Sequence, residues 1–343
     1  MSNMRSGSSI LATVPLGPQW PTMDPFLFCA HHDDHYPAAT LDMAPDAPLG
    51  GRAIGQDFSG KDGWSMYHGT HVPGFPQHPH RGFETITFAR SGVIDHSDSL
   101  GATARFGRGD AQWMTAGSGI VHSEMFPLLR ADAPNHTELF QVWLNLPAAD
   151  KLVDPYFTML WAEDIPTLDV APGVRVTTIV GGLDGIDPPA PPPDSWARRP
   201  DAQVAMWHLE LAPESGWELP PTDPRSSRIL YVFEGNGLRI ESDAFGVDTG
   251  IQLTPDRAVR IDAGEAAVEC LLLQGVPIAE PVAQYGPFVM NTKAEIEQAF
   301  DDYERTRFGG WPWDHPDPVH DRDRGRFAIH ADGQHEEAPD RER

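Results

Sequence analysis

At 343 residues the chain exceeds the usual size of one domain, so two domains are the starting expectation. A formal net charge of −25 works against nucleic acid and anionic membranes as direct partners, and no run of about 18 apolar residues offers a membrane span. The 40% hydrophobic residues supply material for buried cores, while 34 prolines and 32 glycines point to an all-β protein rich in turns.

Residues 1–19 carry neither a basic leader nor a sustained apolar stretch, so they are expected as a disordered N-terminus of a cytoplasmic protein. Cys29 and Cys270 sit in apolar contexts and are expected as separate buried thiols. The run His31-His32-Asp33-Asp34-His35 has a metal-like composition, but neighbours in an extended chain face opposite ways, and it reads as a solvated loop. His68, His71 and His96 read as surface or core histidines. Ile86 and Phe88 alternate with Thr85 and Thr87, then Ser91-Gly92 turns into Val93-Ile94. Phe140, Val142, Leu144 and Leu146 alternate with Gln141, Trp143 and Asn145, the period of a half-buried strand.

The proline-rich stretch 184–200 is expected as a linker between domains at 20–183 and 201–310. Beyond it Val204–Leu211, Arg228–Phe233 and Ala267–Leu273 are strand-like, with a hairpin turn at Glu234-Gly235-Asn236-Gly237. Two β-rich halves suggest a duplicated barrel. A helix is expected after the capping box of Thr292 and Glu295, with Ile296, Phe300 and Tyr303 on one face and Gly309-Gly310 as its stop. Residues 311–343 are polar and charged and are expected to be disordered.

The chemistry concentrates between residues 78 and 125. His78 and His80 are two apart in an extended segment, which puts both imidazoles on one face. His122 and Glu124 repeat that spacing about forty residues later. Two such pairs facing each other across a barrel offer three neutral nitrogens and one carboxylate, a set suited to Fe(II), Mn(II), Ni(II) or Zn(II). Gly117 and Gly119 do not make a phosphate loop, because no helix pattern follows them.

The segments HPHRGFET (78–85), DAQWMTAGSGIVHSEM (110–125), QVWLNLP (141–147) and EPVAQYGPFVMNT (280–292), with Asp24-Pro25-Phe26 upstream, resemble the signatures of the pirin family of cupins. The resemblance spans about residues 20 to 310. It implies two cupin barrels with a short C-terminal helix, and one divalent metal in the N-terminal barrel, Fe(II) or else Mn, Ni, Zn or Cu. The implied ligands are His78, His80, His122 and Glu124. A general cupin would instead take its carboxylate four residues after the second histidine, where Glu84 stands; in the pirin pattern Glu84 is left as a nearby carboxylate that would orient a ligand histidine. The segment 28–75 is longer than in compact pirins. The second barrel, without an HxH pair, is expected to be metal-free.

Two functional classes follow. Resemblance to pirins with quercetinase activity implies a dioxygenase that opens a flavonol ring with O₂, with Glu124 or Glu84 taking the proton of the flavonol 3-hydroxyl. The alternative is a metal-dependent regulatory or redox-sensing protein that acts through a protein partner.

Overall fold

The computed structural model describes residues 8–339. They divide into two compact units: one of residues 31–141, 146–163 and 280–339, the other of residues 8–30, 142–145 and 164–279.

The first strand, β1 (Ile10–Pro15), belongs to the second unit. The strands that follow are β2 (Phe26–Tyr36), β3 (Gly74–His80), β4 (Phe83–Ser91), β5 (Val93–Asp98), β6 (Thr103–Gly107), β7 (Asp110–Thr115), β8 (Ile120–Met125), β9 (Asn135–Asn145) and β10 (Tyr156–Leu160). One sheet has the order β10-β7-β4-β9-β2; the other runs β6-β5-β8-β3. Apolar side chains from both, among them Ala89, Ile94, Ala104, Phe106, Leu139 and Phe157, close over one core. The apolar set read in the sequence, Ile86 and Phe88 on β4 and Phe140 and Val142 on β9, has the opposite parity to Ala89 and Leu139 in this core and is buried on the other face of the sheet.

The second unit continues with β11 (Thr167–Ala171), β12 (Val174–Val180), β13 (Ala205–Leu211), β14 (Gly216–Leu219), β15 (Ser227–Ile240), β16 (Asp243–Gly246), β17 (Thr249–Leu253), β18 (Val259–Asp262) and β19 (Val268–Gly275). Its main sheet has the order β1-β17-β15-β19-β13-β12-β11, around a core that includes Trp207, Leu209, Leu230, Val232, Cys270 and Leu272. Both cysteines are free and buried, as expected. The hairpin turn expected at Glu234–Gly237 is instead a bulged stretch of β15: the register slips between Val232 and Glu234 and again between Asn236 and Leu238. Gly235, at φ 79°, lies so close to the Ala267 carbonyl that a Cβ would stand 2.0 Å from it.

The chain then returns to the first unit with β20 (Ala283–Tyr285), β21 (Phe288–Met290) and α1 (Lys293–Thr306). The capping box of Thr292 and Glu295 forms as expected. The apolar face of α1 packs Ile296 and Ala299 against Val121, Phe288, Met290 and Phe308.

Four expected boundaries differ. Residues 164–183 belong to the second unit, because β12 pairs with β13 along most of its length. The helix belongs with the first unit. The segment expected as a disordered tail is ordered through residue 339: β22 (Phe327–Ile329) pairs with β6, and β23 (His335–Glu337) pairs with β22. Ile10–Pro15, within the N-terminal stretch expected to be disordered, likewise pairs with β17, whereas residues 1–7 lie outside the described residues. Among the described residues, no helix is long and apolar enough to cross a membrane.

Candidate metal centre

Strands β3 and β8 run antiparallel, with His78 opposite His122 and Phe75 opposite Glu124. On the other side of β8, Asp98 stands opposite His122 and His96 opposite Glu124. The register slips between Phe75 and His78, a bulge that re-aims the strand where the ligands begin. The donor atoms of His78, His80 and His122 all lie within 4.8 Å of one another. His78 is half-buried; His80 and His122 are buried.

The tautomers follow from the partners. His78 Nδ1 lies 2.8 Å from the Pro76 carbonyl and His80 Nδ1 3.4 Å from that of Pro287. A carbonyl only accepts, so Nδ1 carries the proton on both rings and each Nε2 keeps its lone pair. Among the described residues, neither nitrogen of the fully buried His122 has a hydrogen-bond partner. Such an orphan costs about 1–3 kcal/mol, and a cation at the convergence of the three rings removes that cost. Burial pushes the His78 pKa down to about 4 and those of His80 and His122 well below the ordinary value. The rings are therefore held in the neutral form that binds metals.

Glu124 stands beside the three rings. Its Oε2 lies 4.0 Å from His122 Nε2, within reach of a shared ion whose bonds are each about 2.0–2.2 Å. Thr87 Oγ1 lies 3.0 Å from Glu124 Oε1, and Gln141 Nε2 donates to Oε2 at 3.2 Å. Burial raises the Glu124 pKa, opposed by His96 and by these two hydrogen bonds.

Glu84 does not join this group. Thr87 and Phe83, whose ring lies 5.1 Å from that of His80, share the inner face of β4. Glu84 has the opposite parity, stands opposite Thr115 in the register and accepts from its hydroxyl at 2.7 Å. The expectation that Glu84 serves as a pocket carboxylate is thus corrected by the alternation of the strand itself.

Other sequence readings sort by position. His68 and His71 are exposed, whereas His96 is fully buried, 5.4 Å from the His122 ring and hydrogen-bonded to Asp98 at 3.2 Å. Thr87, Gln141 and His96 are the residues that sequence reasoning missed. Their one signal was polarity at inward-facing strand positions. Trp113 lies with Glu84, away from the ligands, while Met114 has the inward parity. Gly117 and Gly119 serve packing: an added Cβ would stand 2.2 Å from the Val153 carbonyl and 2.5 Å from the Phe308 ring, respectively.

Comparison with known proteins decides the family. The Pirin family model matches residues 9–144, and that of the pirin C-terminal cupin domain matches residues 206–309. A Pseudomonas aeruginosa protein, provisionally named a quercetin 2,3-dioxygenase, is 39% identical over 247 residues, 68% of this chain and 79% of its own. The chain belongs to the pirin family. Pirin-1 of Arabidopsis thaliana is 37% identical over 242 residues, covering 69% of this chain and 78% of its own. Among solved structures, quercetin 2,3-dioxygenase from Acinetobacter baumannii superposes with a TM-score of 0.69 at 25% identity, over 88% of this chain and 98% of its own. The two sheet-built units of this pirin are accordingly cupin folds.

Proposed function

We propose that this pirin is a dioxygenase that opens the central ring of a flavonol with O₂, at one divalent metal held by His78, His80, His122 and Glu124. The observation that carries the reading is the convergence of three neutral imidazoles, one of them buried without any hydrogen-bond partner, beside a buried carboxylate. The solved neighbour that bears the quercetin 2,3-dioxygenase name supports the reaction class. Fe(II) suits a set of three nitrogens and one oxygen, and Mn(II), Ni(II), Zn(II) or Cu(II) share it.

When bound, the metal supplies Lewis acidity toward an enol hydroxyl and one-electron chemistry toward O₂. The protein does the rest. Pro76 and Pro287 fix the ring orientations of His78 and His80. Glu124 accepts the proton of the flavonol 3-hydroxyl at Oε2; burial raises its basicity, and Thr87 and Gln141 hold its plane. Phe75 stands 5.1 Å from Tyr67, 6.0 Å from Phe126 and 6.3 Å from His78. These rings form an aromatic wall on which a planar substrate stacks while water is excluded. Both oxygen atoms enter the product, at C2 and C4, and C3 leaves as carbon monoxide.

The test is oxygen uptake and carbon monoxide release by protein reconstituted with Fe(II), and in parallel with Mn(II) or Ni(II), on quercetin. One O₂ consumed and one CO released per flavonol is the expected result. Absence of uptake with every metal and flavonol sinks the dioxygenase reading and leaves the regulatory protein, acting through a protein partner, in its place.

A further inference from the structure

The run His31–His35 is not a loop but part of β2, and strand alternation sorts it into two faces. His32, Asp34 and Tyr36 turn inward: Tyr67 donates to Asp34 at 2.6 Å and meets His32 Nδ1 at 2.8 Å. His31, Asp33 and His35 share the other face. The neighbouring strand β9 presents His136, Glu138 and Phe140 to that face.

Two layers of contact result. Near the middle of the strands, the His31 ring stacks on Phe140 at 4.5 Å and its Nε2 meets Glu138 at 2.9 Å, with Arg90 on the same carboxylate. This layer is mostly buried and ties β2 to β9. Further along, His136 Nε2 lies 2.7 Å from Asp33 Oδ1, His35 Nε2 lies 3.6 Å from the same oxygen, and the two imidazoles stack at 4.6 Å. Donor atoms of all three fall within 4.8 Å of one another, and the side chains are 40–66% exposed.

We propose that Asp33, His35 and His136 form a second metal site, an open one, for a divalent transition-metal ion such as Zn²⁺, Ni²⁺ or Cu²⁺. The site goes beyond the flavonol reading and does not rest on it. Two imidazoles and one carboxylate are the donors these ions prefer over Ca²⁺ or Mg²⁺, which take oxygen ligands. Bonds of about 2.0–2.2 Å set neighbouring donors roughly 3–3.5 Å apart, and the observed separations of 2.7 and 3.6 Å bracket that span. Closure asks only for rotation of His35, the most exposed of the three. The ion takes the place of the proton that now bridges His136 and Asp33, and that proton moves to His136 Nδ1 or to solvent. Water fills the remaining positions. The backbone is already fixed, because the adjacent layer of His31, Phe140 and Glu138 clamps the two strands.

The experiment is a Zn²⁺ titration of the full chain against a chromophoric chelator. The parent protein, His122→Ala and the double variant His35→Ala with His136→Ala are compared after thermal unfolding shows them equally folded. Two equivalents in the parent and one in each variant are expected, the equivalent left in His122→Ala being the weaker. Cu²⁺ bound to His122→Ala is expected to give an electron paramagnetic resonance spectrum with coupling to two nitrogens, which is lost when His35→Ala and His136→Ala are added while His78 and His80 stay in place. Two equivalents retained by the double variant, or a single parent equivalent that only His122→Ala removes, overturns the open site. A single equivalent that only the double variant removes supports it and counts against the buried centre instead.

Discussion

At the scale of single residues, the two carboxylates separate by strand parity, and their glutamine variants test that separation. Glu124→Gln keeps the shape and the contacts of Thr87 and Gln141, but it removes the charge that balances a dication and the basicity that takes a hydroxyl proton. It is expected to weaken metal retention and abolish flavonol turnover. Glu84→Gln, whose side chain bonds Thr115 on the far face of β4, is expected to keep both. Bound metal and oxygen uptake measured side by side decide between them; loss of metal in Glu84→Gln with retention in Glu124→Gln reverses the assignment. His122→Ala is expected to lower affinity at the buried centre by at least about 10–100-fold, more than loss of an outer partner of a ligand costs. Full metal content of that centre under a competing chelator contradicts the ligand role.

At the scale of elements, the charged C-terminal segment shows why composition misled. Arg105 is buried and grips Asp95 with two hydrogen bonds of 2.6 and 2.7 Å. Its remaining N–H groups donate to the carbonyls of His320, Asp321 and Arg324. The segment is held by its backbone, which a count of apolar side chains does not see, and Phe327 and Ala328 then add an apolar anchor on β6. Arg105→Ala strips the carbonyls of donors and leaves the buried Asp95 without a counter-charge. A loss of about 3–5 kcal/mol is expected, read by urea unfolding, together with faster proteolysis after residue 311; an unchanged midpoint refutes this role. The convergence of His78, His80 and His122, by contrast, was legible because i, i+2 spacing on a strand fixes the face. The same rule, applied to the His31–His35 run, gave a loop only because the run's polarity hid a strand whose outer face is solvated. The bulge in β15 was marked by Gly235 and Gly237, which read as a turn, whereas that in β3 has no glycine between Phe75 and His78 to mark it.

At the scale of the whole molecule, the buried imidazoles set how stability responds to acid. His32 and His78 titrate at about 4 in the folded chain against an ordinary 6.5, and His80 and His122 are lowered as well, all chiefly by burial. Between pH 6.5 and 4 the unfolded chain binds more protons at these four sites, so stability falls as pH falls through that window, by up to about 1.4 kcal/mol per pH unit for each proton. Three buried carboxyls act the other way. Asp34 is raised to about 6, and Asp110 and Glu124 are raised, so the folded chain binds more protons at these groups and gains from acid below pH 6. Burial lowers His320 as well, and five imidazoles against three carboxyls leave a net loss. The metal-free protein is therefore expected to show a urea midpoint that drops steadily from pH 7 to pH 5. The metal-loaded protein starts higher and loses its advantage over the same range, because protons compete for the ligand nitrogens. Replacing His78 and His80 by Gln is expected to flatten the metal-free profile. A midpoint that holds level or rises from pH 7 to pH 5 shows that burial does not keep these rings neutral, and removes the electrostatic part of the case for a preformed metal centre.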